Sequence, residues 1–61
     1  MTAKDVIRRL KADGWFEVSG TGGHRHFKHA TKPGKVTVSM HAGDIPPGTL
    51  GNIGKQSGIK F

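Results

Sequence analysis

The fold is decided by residues 15–29, Trp15-Phe16-Glu17-Val18-Ser19-Gly20-Thr21-Gly22-Gly23-His24-Arg25-His26-Phe27-Lys28-His29. Two alternating stretches flank a cluster of glycines. In residues 15–19, Phe16 and Val18 alternate with Trp15, Glu17 and Ser19, the period-two pattern of a strand with one buried face. Phe16 and Val18 are the expected inward pair. Residues 24–29 alternate again, with Phe27 on one face and His24, His26 and Lys28 on the other. Arg25 shares the parity of Phe27 and is expected at the sheet rim. Gly20-Thr21-Gly22-Gly23 reads as the loop between them, because three glycines in four residues favour neither strand nor helix.

Outward from this hairpin, Pro33-Gly34 marks a turn and residues 35–40 read as a third strand. Val36, Val38 and Met40 form its inward set and Thr37 and Ser39 point outward. His41 shares the outward parity if the strand runs on. Residues 2–13 read as a helix: Thr2 caps it, Asp5 stands three positions on in a capping box, and Ala3, Val6, Ile7 and Leu10 form one apolar stripe. Gly14 stops it in a left-handed position. Asp44-Ile45-Pro46-Pro47 starts a second helix over residues 47–57, proline being tolerated in the first turn. Leu50 and Ile53 face inward, Gly58 ends the helix, and Ile59 or Phe61 folds back. Gly48, Gly51 and Gly54 each weaken it by about 1 kcal/mol relative to Ala, and Gly51 and Gly54 are candidates for close packing.

The order is helix, strand, strand, strand, helix. Hairpin-length loops make the sheet antiparallel. Both helices must cover one face, since that buries the apolar set and leaves the other face wet. The expected class is therefore α+β, with a three-stranded antiparallel sheet and a single domain over residues 1–61. Pairing Phe16 with Phe27 sets Glu17 opposite His26. Pairing Phe27 with Val38 sets His26 opposite Ser39, Lys28 opposite Thr37 and His24 opposite His41. A one-residue slip reverses a strand's faces; a two-residue slip changes only the partners.

Composition narrows the function. The chain has 61 residues, ten Lys and Arg against four Asp and Glu, and no cysteine. Disulfides and thiolate metal sites are excluded. No apolar run exceeds two residues, and mean hydropathy is −0.47, so neither a transmembrane helix nor a signal peptide is expected, and the location expected is cytoplasmic. A formal charge of +6 on so small a body points to a polyanionic partner, nucleic acid or an acidic protein.

On the wet face the in-phase registers collect Glu17, His24, His26, Lys28, Thr37 and Ser39, and His41 if the third strand runs on. This set suits RNA cleavage without a metal. One group must take the 2′-hydroxyl proton and another must protonate the leaving oxygen, and imidazole does either near neutral pH. Lys28 and Arg25 would supply positive field, and Gly22 and Gly23 bare N–H groups for a phosphate. DNA, lacking the 2′-hydroxyl, would be inert. Other readings stand beside this one. His24 and His26 project to one side and could chelate a metal, though two imidazoles make a poor site. His29 reads as a solvated turn residue and Trp15 as a cover over the first helix. The whole face could bind RNA without cleaving it, or meet only an acidic protein.

Several ordered motifs resemble one family. Leu10-Lys11-Ala12-Asp13-Gly14-Trp15 is similar to a Leu-x-x-x-Gly-Phe pattern leading into the first strand, and Gly23-His24-Arg25-His26-Phe27 to a Gly-Ser-His-x-x-Phe/Tyr motif. Val36-Thr37-Val38-Ser39-Met40-His41 resembles the third strand, and Pro47-Gly48-Thr49-Leu50 with Ile53, Lys55-Gln56 and Gly58 a Pro-Gly-Thr-Leu…Ile-x-Lys-Gln-Ala-Gly helix. The family is the HicA-type mRNA interferases, the toxins of HicAB toxin–antitoxin pairs. The resemblance implies a fold like the double-stranded-RNA-binding domain and ribosome-independent cleavage of mRNA that arrests translation. It also implies a HicB-type antitoxin covering the active face. With metal-free chemistry on that face, no cofactor is expected. It places the catalytic histidine at His24. Strand parity and the glycine turn add Gly22, Gly23, Arg25, His26 and Lys28 as substrate-binding candidates. Gly23 departs from the family, which often has Ser there; loss of that hydroxyl would weaken the site.

Overall fold

Thr2 and Asp5 begin the chain's first helix by satisfying each other. The Asp5 N–H donates to Thr2 Oγ1 at 3.3 Å, and the Thr2 N–H donates to Asp5 Oδ2 at 3.1 Å. Two of the donors that every helix start leaves unpaired are thereby used. The computed structural model describes residues 1–40 and 43–61, with Thr21 described by its backbone alone. Helix α1 spans Ala3–Ala12 and buries Ala3, Val6, Ile7 and Leu10. Gly14, at φ 102°, takes the left-handed position that turns the chain into the sheet.

Strands β1 (Trp15–Thr21), β2 (His24–His29) and β3 (Val36–Ser39) form an antiparallel sheet in the order β1-β2-β3. Helix α2 spans Pro47–Ser57, with proline in its first turn and Gly58 at φ 76° closing it. The core joins the stripe of α1 to Trp15, Phe27, Val36, Val38, Ile45 and Ile53. Both helices therefore lie on one face of the sheet and the other face is open, as expected. Met40, Leu50, Ile59 and Phe61 pack partly buried against this core.

The first strand corrects the expected facing. Trp15 is buried, whereas Phe16 and Val18 are 48% and 45% exposed. The pairs are Trp15 with His29, Phe16 with Lys28 and Glu17 with Phe27. Trp15 and Glu17 thus share the covered side with Phe27, and Phe16 lies on the open side. Both parities of β1 carry apolar residues, so alternation alone could not choose. Trp15 has the larger surface to remove from water, and its indole N–H reaches Asp13 Oδ2 at 3.2 Å. The register then shifts between Glu17 and Ser19, leaving Val18 as the unpaired residue of a bulge. Beyond it Ser19 pairs with His26 and Gly20 with Arg25. The strand runs on to Thr21, two residues further than expected, so the connection is the two-residue turn Gly22-Gly23. A positive φ of 58° at Gly22 suits the first central position of such a hairpin.

Strands β2 and β3 keep their expected faces and change partners by two residues. Phe27 pairs with Val36, Arg25 with Val38, His26 with Thr37 and His24 with Ser39. His41 lies outside the described residues.

Three further features complete the fold. Ile45 and Ser57 are buried at 5% and 1% exposure. His29 is a structural bracket rather than a solvated turn residue: its Nε2 lies 2.7 Å from the Asp13 carbonyl oxygen, its Nδ1 accepts from the N–H of Thr31 and Lys32, and its ring meets Trp15 edge-on. Of the two glycines that are candidates for close packing, Gly54 serves it, since an added Cβ would stand 3.0 Å from the Ile59 carbonyl oxygen, while at Gly51 it would meet open space.

Candidate active site

β2 is the central strand and carries the candidate residues. Alternation about the buried Phe27 puts His24, His26 and Lys28 on the open face. His24 begins the strand directly after the glycine turn, is exposed, and pairs across the sheet with Ser39. His26 is half-buried, and its Nδ1 lies 2.9 Å from Thr37 Oγ1 on the neighbouring strand. That contact fixes the ring and leaves Nε2 as its outward nitrogen. Lys28 is exposed, beside Phe16. The Cα atoms of His24 and His26 are about 7 Å apart along the strand, close enough for two imidazoles to flank one phosphate group.

The turn beside His24 is open. A Cβ at Gly22 would touch nothing within 4 Å, and one at Gly23 would meet only the Met40 carbonyl oxygen at 3.9 Å. The Gly23 carbonyl accepts the Met40 N–H at 2.6 Å, which ties the turn to the residue just after β3. Backbone here is both pinned and approachable, the condition under which peptide N–H groups can meet an anion.

Arg25 and Glu17 sit on the opposite side from these residues. The Arg25 Nε donates to Glu17 Oε2 at 2.8 Å, and a second guanidinium nitrogen donates to the other carboxylate oxygen. This fork holds the Glu17 carboxyl below its ordinary 4.5 and raises Arg25. Gly20 makes room for it: a Cβ there would come within 3.4 Å of Glu17 Oε2. The expected position of Glu17 on the open face is therefore corrected, because the register pairs it with Phe27 rather than His26. The structure puts His24, His26 and Lys28 along one face of β2, with His24 directly after the Gly22-Gly23 turn, and sets Arg25 apart from them.

The remaining acidic residues are also elsewhere. Asp5 caps α1, Asp13 binds Lys32 at 2.6 Å, and Asp44 pairs with Thr2. The open face thus carries cations, hydroxyls and imidazoles but none of the four carboxylates. Among the described residues no three His, Asp or Glu side chains gather as a metal site, and no helix is long and apolar enough to cross a membrane.

Phe16 is the open-face residue that sequence reasoning missed. The signal was present in Trp15: if Trp15 covers the first helix, its strand neighbour must point the other way.

The fold and the face define a small basic α+β protein with an uncovered antiparallel sheet that presents two imidazoles and an ammonium. The family model for the HicA toxin of bacterial toxin-antitoxin systems matches residues 3–59, and the chain belongs to that family. Comparison with curated proteins gives no match.

Proposed function

We propose that this HicA-family toxin is an endoribonuclease that cleaves mRNA, with His24 as general base or acid. The observation that carries the reading is His24 itself, exposed at the mouth of the glycine turn on a face without carboxylates. An imidazole there can take the proton of a ribose 2′-hydroxyl. The freed oxygen attacks the adjacent phosphorus, the 5′-oxygen leaves and takes a proton from a second group, and a 2′,3′-cyclic phosphate remains. His26 is placed for that second transfer or for binding the phosphate, and Lys28, further along the strand, adds positive charge for the RNA backbone. Gly22 and Gly23 admit the phosphate to the backbone. Arg25 contributes indirectly, by keeping the one carboxylate of the hairpin away from the substrate.

A HicB-type antitoxin is the partner that would silence this face, presenting carboxylates to Lys28 and the histidines or inserting a bulky side chain over them. The compartment is the cytoplasm, where both mRNA and the antitoxin are made.

The test is incubation of purified protein with labelled RNA in EDTA, with and without His24→Ala. The parent should yield fragments ending in a 2′,3′-cyclic phosphate. The variant should fold, bind antitoxin, yield no fragments and cause no growth arrest. A well-expressed His24→Ala protein of undiminished toxicity would remove the mechanism, and RNA retention without fragments from the parent would leave a binding module.

A further inference from the structure

The open face holds an aromatic ring that the fold does not use. Phe16 is 48% exposed, stands opposite Lys28, and shares its side of the sheet with His24 and His26. Val18, also exposed, is the unpaired residue of the adjacent bulge. The core already has its aromatic from this strand in Trp15. Among the described residues about half of the Phe16 surface stays uncovered, so the ring is available to a partner.

The surroundings restrict what that is. When no antitoxin covers the face, one ring and one valine, bounded by Lys28 and the histidines, are far smaller than the apolar centre of a further protein interface, which belongs to a contact of about 800 Å² per partner. A flat apolar group carrying negative charge beside it fits better. Opposite residues on an antiparallel pair have Cβ atoms about 5 Å apart. A nucleobase stacked on Phe16 would therefore leave its own phosphate within reach of the Lys28 ammonium. A base inside a duplex hides its faces, so the ring can seat only unpaired nucleotides.

We propose that Phe16 is a stacking platform for one unpaired nucleobase of an RNA, with Lys28 holding the adjoining phosphate. The inference rests on the reading of this face as an RNA site. Lys28 lies four residues along β2 from His24, about 13 Å, so the stacked nucleotide is a neighbour of the cleaved one and is not itself cut. Phe16 thereby supplies binding and a preference for single strands, with KM rather than kcat as the affected constant.

The experiment measures binding of a short, fluorescently labelled single-stranded RNA to the His24→Ala protein, which cannot consume it. Phe16→Leu, Phe16→Tyr and Lys28→Ala are compared in that background over a range of salt. Phe16→Leu should weaken binding about tenfold with an unchanged salt slope, and Phe16→Tyr, which keeps the ring, should bind as the parent. Lys28→Ala should lower the slope of log K against log salt by about 0.7. A matching duplex should show no loss with Phe16→Leu. Thermal melts of the variants control for folding, and Phe16 lies outside the core.

If Phe16→Leu binds single strands as well as the parent does, the platform is refuted while the RNA reading stands. If Phe16→Tyr fails as badly as Phe16→Leu, stacking is refuted as the cause. If Phe16→Leu loses antitoxin but not RNA, the ring is a protein contact and the proposal falls. If the parent background retains no RNA at any salt, both this inference and the RNA reading fall together.

Discussion

His29 donates its Nε2–H to the carbonyl oxygen of Asp13 across 2.7 Å, and so joins the end of α1 to the end of β2. The acceptor can only be the carbonyl, which fixes the hydrogen on Nε2 and leaves Nδ1 to accept the N–H groups of Thr31 and Lys32 at 3.1 and 3.2 Å. One ring thus satisfies three backbone groups and rests against Trp15, with 5.2 Å between ring centres. The histidines of β2 consequently divide by face: His24 and His26 serve the open side, and His29 serves the joint.

That joint makes Gly14 irreplaceable. Its φ of 102° disfavours any side chain, and an added Cβ would stand 2.7 Å from His29 Nε2. Gly14→Ala should lose at least about 1–2 kcal/mol from the left-handed backbone alone, a fall in melting midpoint of about 4–8 °C for each kcal/mol in a domain of this size. Gly51→Ala is the control. It meets open space on α2 and should raise stability by up to about 1 kcal/mol through helix propensity. Thermal unfolding of the two variants checks this, and equal midpoints would contradict it.

Acid should unfold the protein through three carboxylates. The Thr2 N–H holds Asp5 below its ordinary 3.8, the Lys32 ammonium holds Asp13 below 3.8, and the Arg25 fork holds Glu17 below 4.5. A carboxyl lowered in the folded state stabilises it fully above the ordinary value, and that stabilisation is lost as pH falls through the ordinary value toward the folded one. The melting midpoint should therefore be level with respect to these groups above about pH 5 and decline below about pH 4. All three are solvent-facing, so added salt should shrink the decline. Asp13→Asn should lower the plateau and flatten part of the slope. Melts recorded across this range test the point, and a midpoint indifferent to acid would contradict it.

Gly23 is free to change where Gly14 is not. Its φ is not positive, and the nearest atom to an added Cβ is the Met40 carbonyl oxygen at 3.9 Å. Gly23→Ser restores the residue that the family often has beside the histidine. The variant should fold with unchanged or slightly higher stability, since a side chain reduces the freedom of the unfolded chain. Its hydroxyl would lie beside His24, and RNA cleavage should rise severalfold. Cleavage rates for parent and variant, at matched melting midpoints, decide it. A slower variant would mean that the bare backbone, rather than a hydroxyl, is what the substrate needs.

Much of the candidate site is legible in the sequence because period-two alternation around one large apolar residue is unambiguous. Phe27 has only polar neighbours on β2, so His24, His26 and Lys28 had to share the other face, whichever strand residue they met. The two-residue error in the β2–β3 register left those faces intact. β1 offered no such anchor. Trp15, Phe16 and Val18 are all apolar, and the bulge at Val18 reverses the facing midway. Alternation consequently sets Glu17 on the histidines' face, although it lies with Arg25 on the other.

The amino-acid sequence alone determined the local elements: the Thr2–Asp5 capping box, the Gly14 and Gly58 stops, the proline start of α2 and the face that each residue of β2 and β3 takes. Each of these depends on neighbours a few positions away, whose spacing is written in the chain. Tertiary structure decided the facing of β1, the bracket made by His29, the burial of Ile45 and Ser57, and the withdrawal of Glu17. Those depend on which distant surfaces meet, where the larger gain from burying Trp15 outweighed the exposure of Phe16.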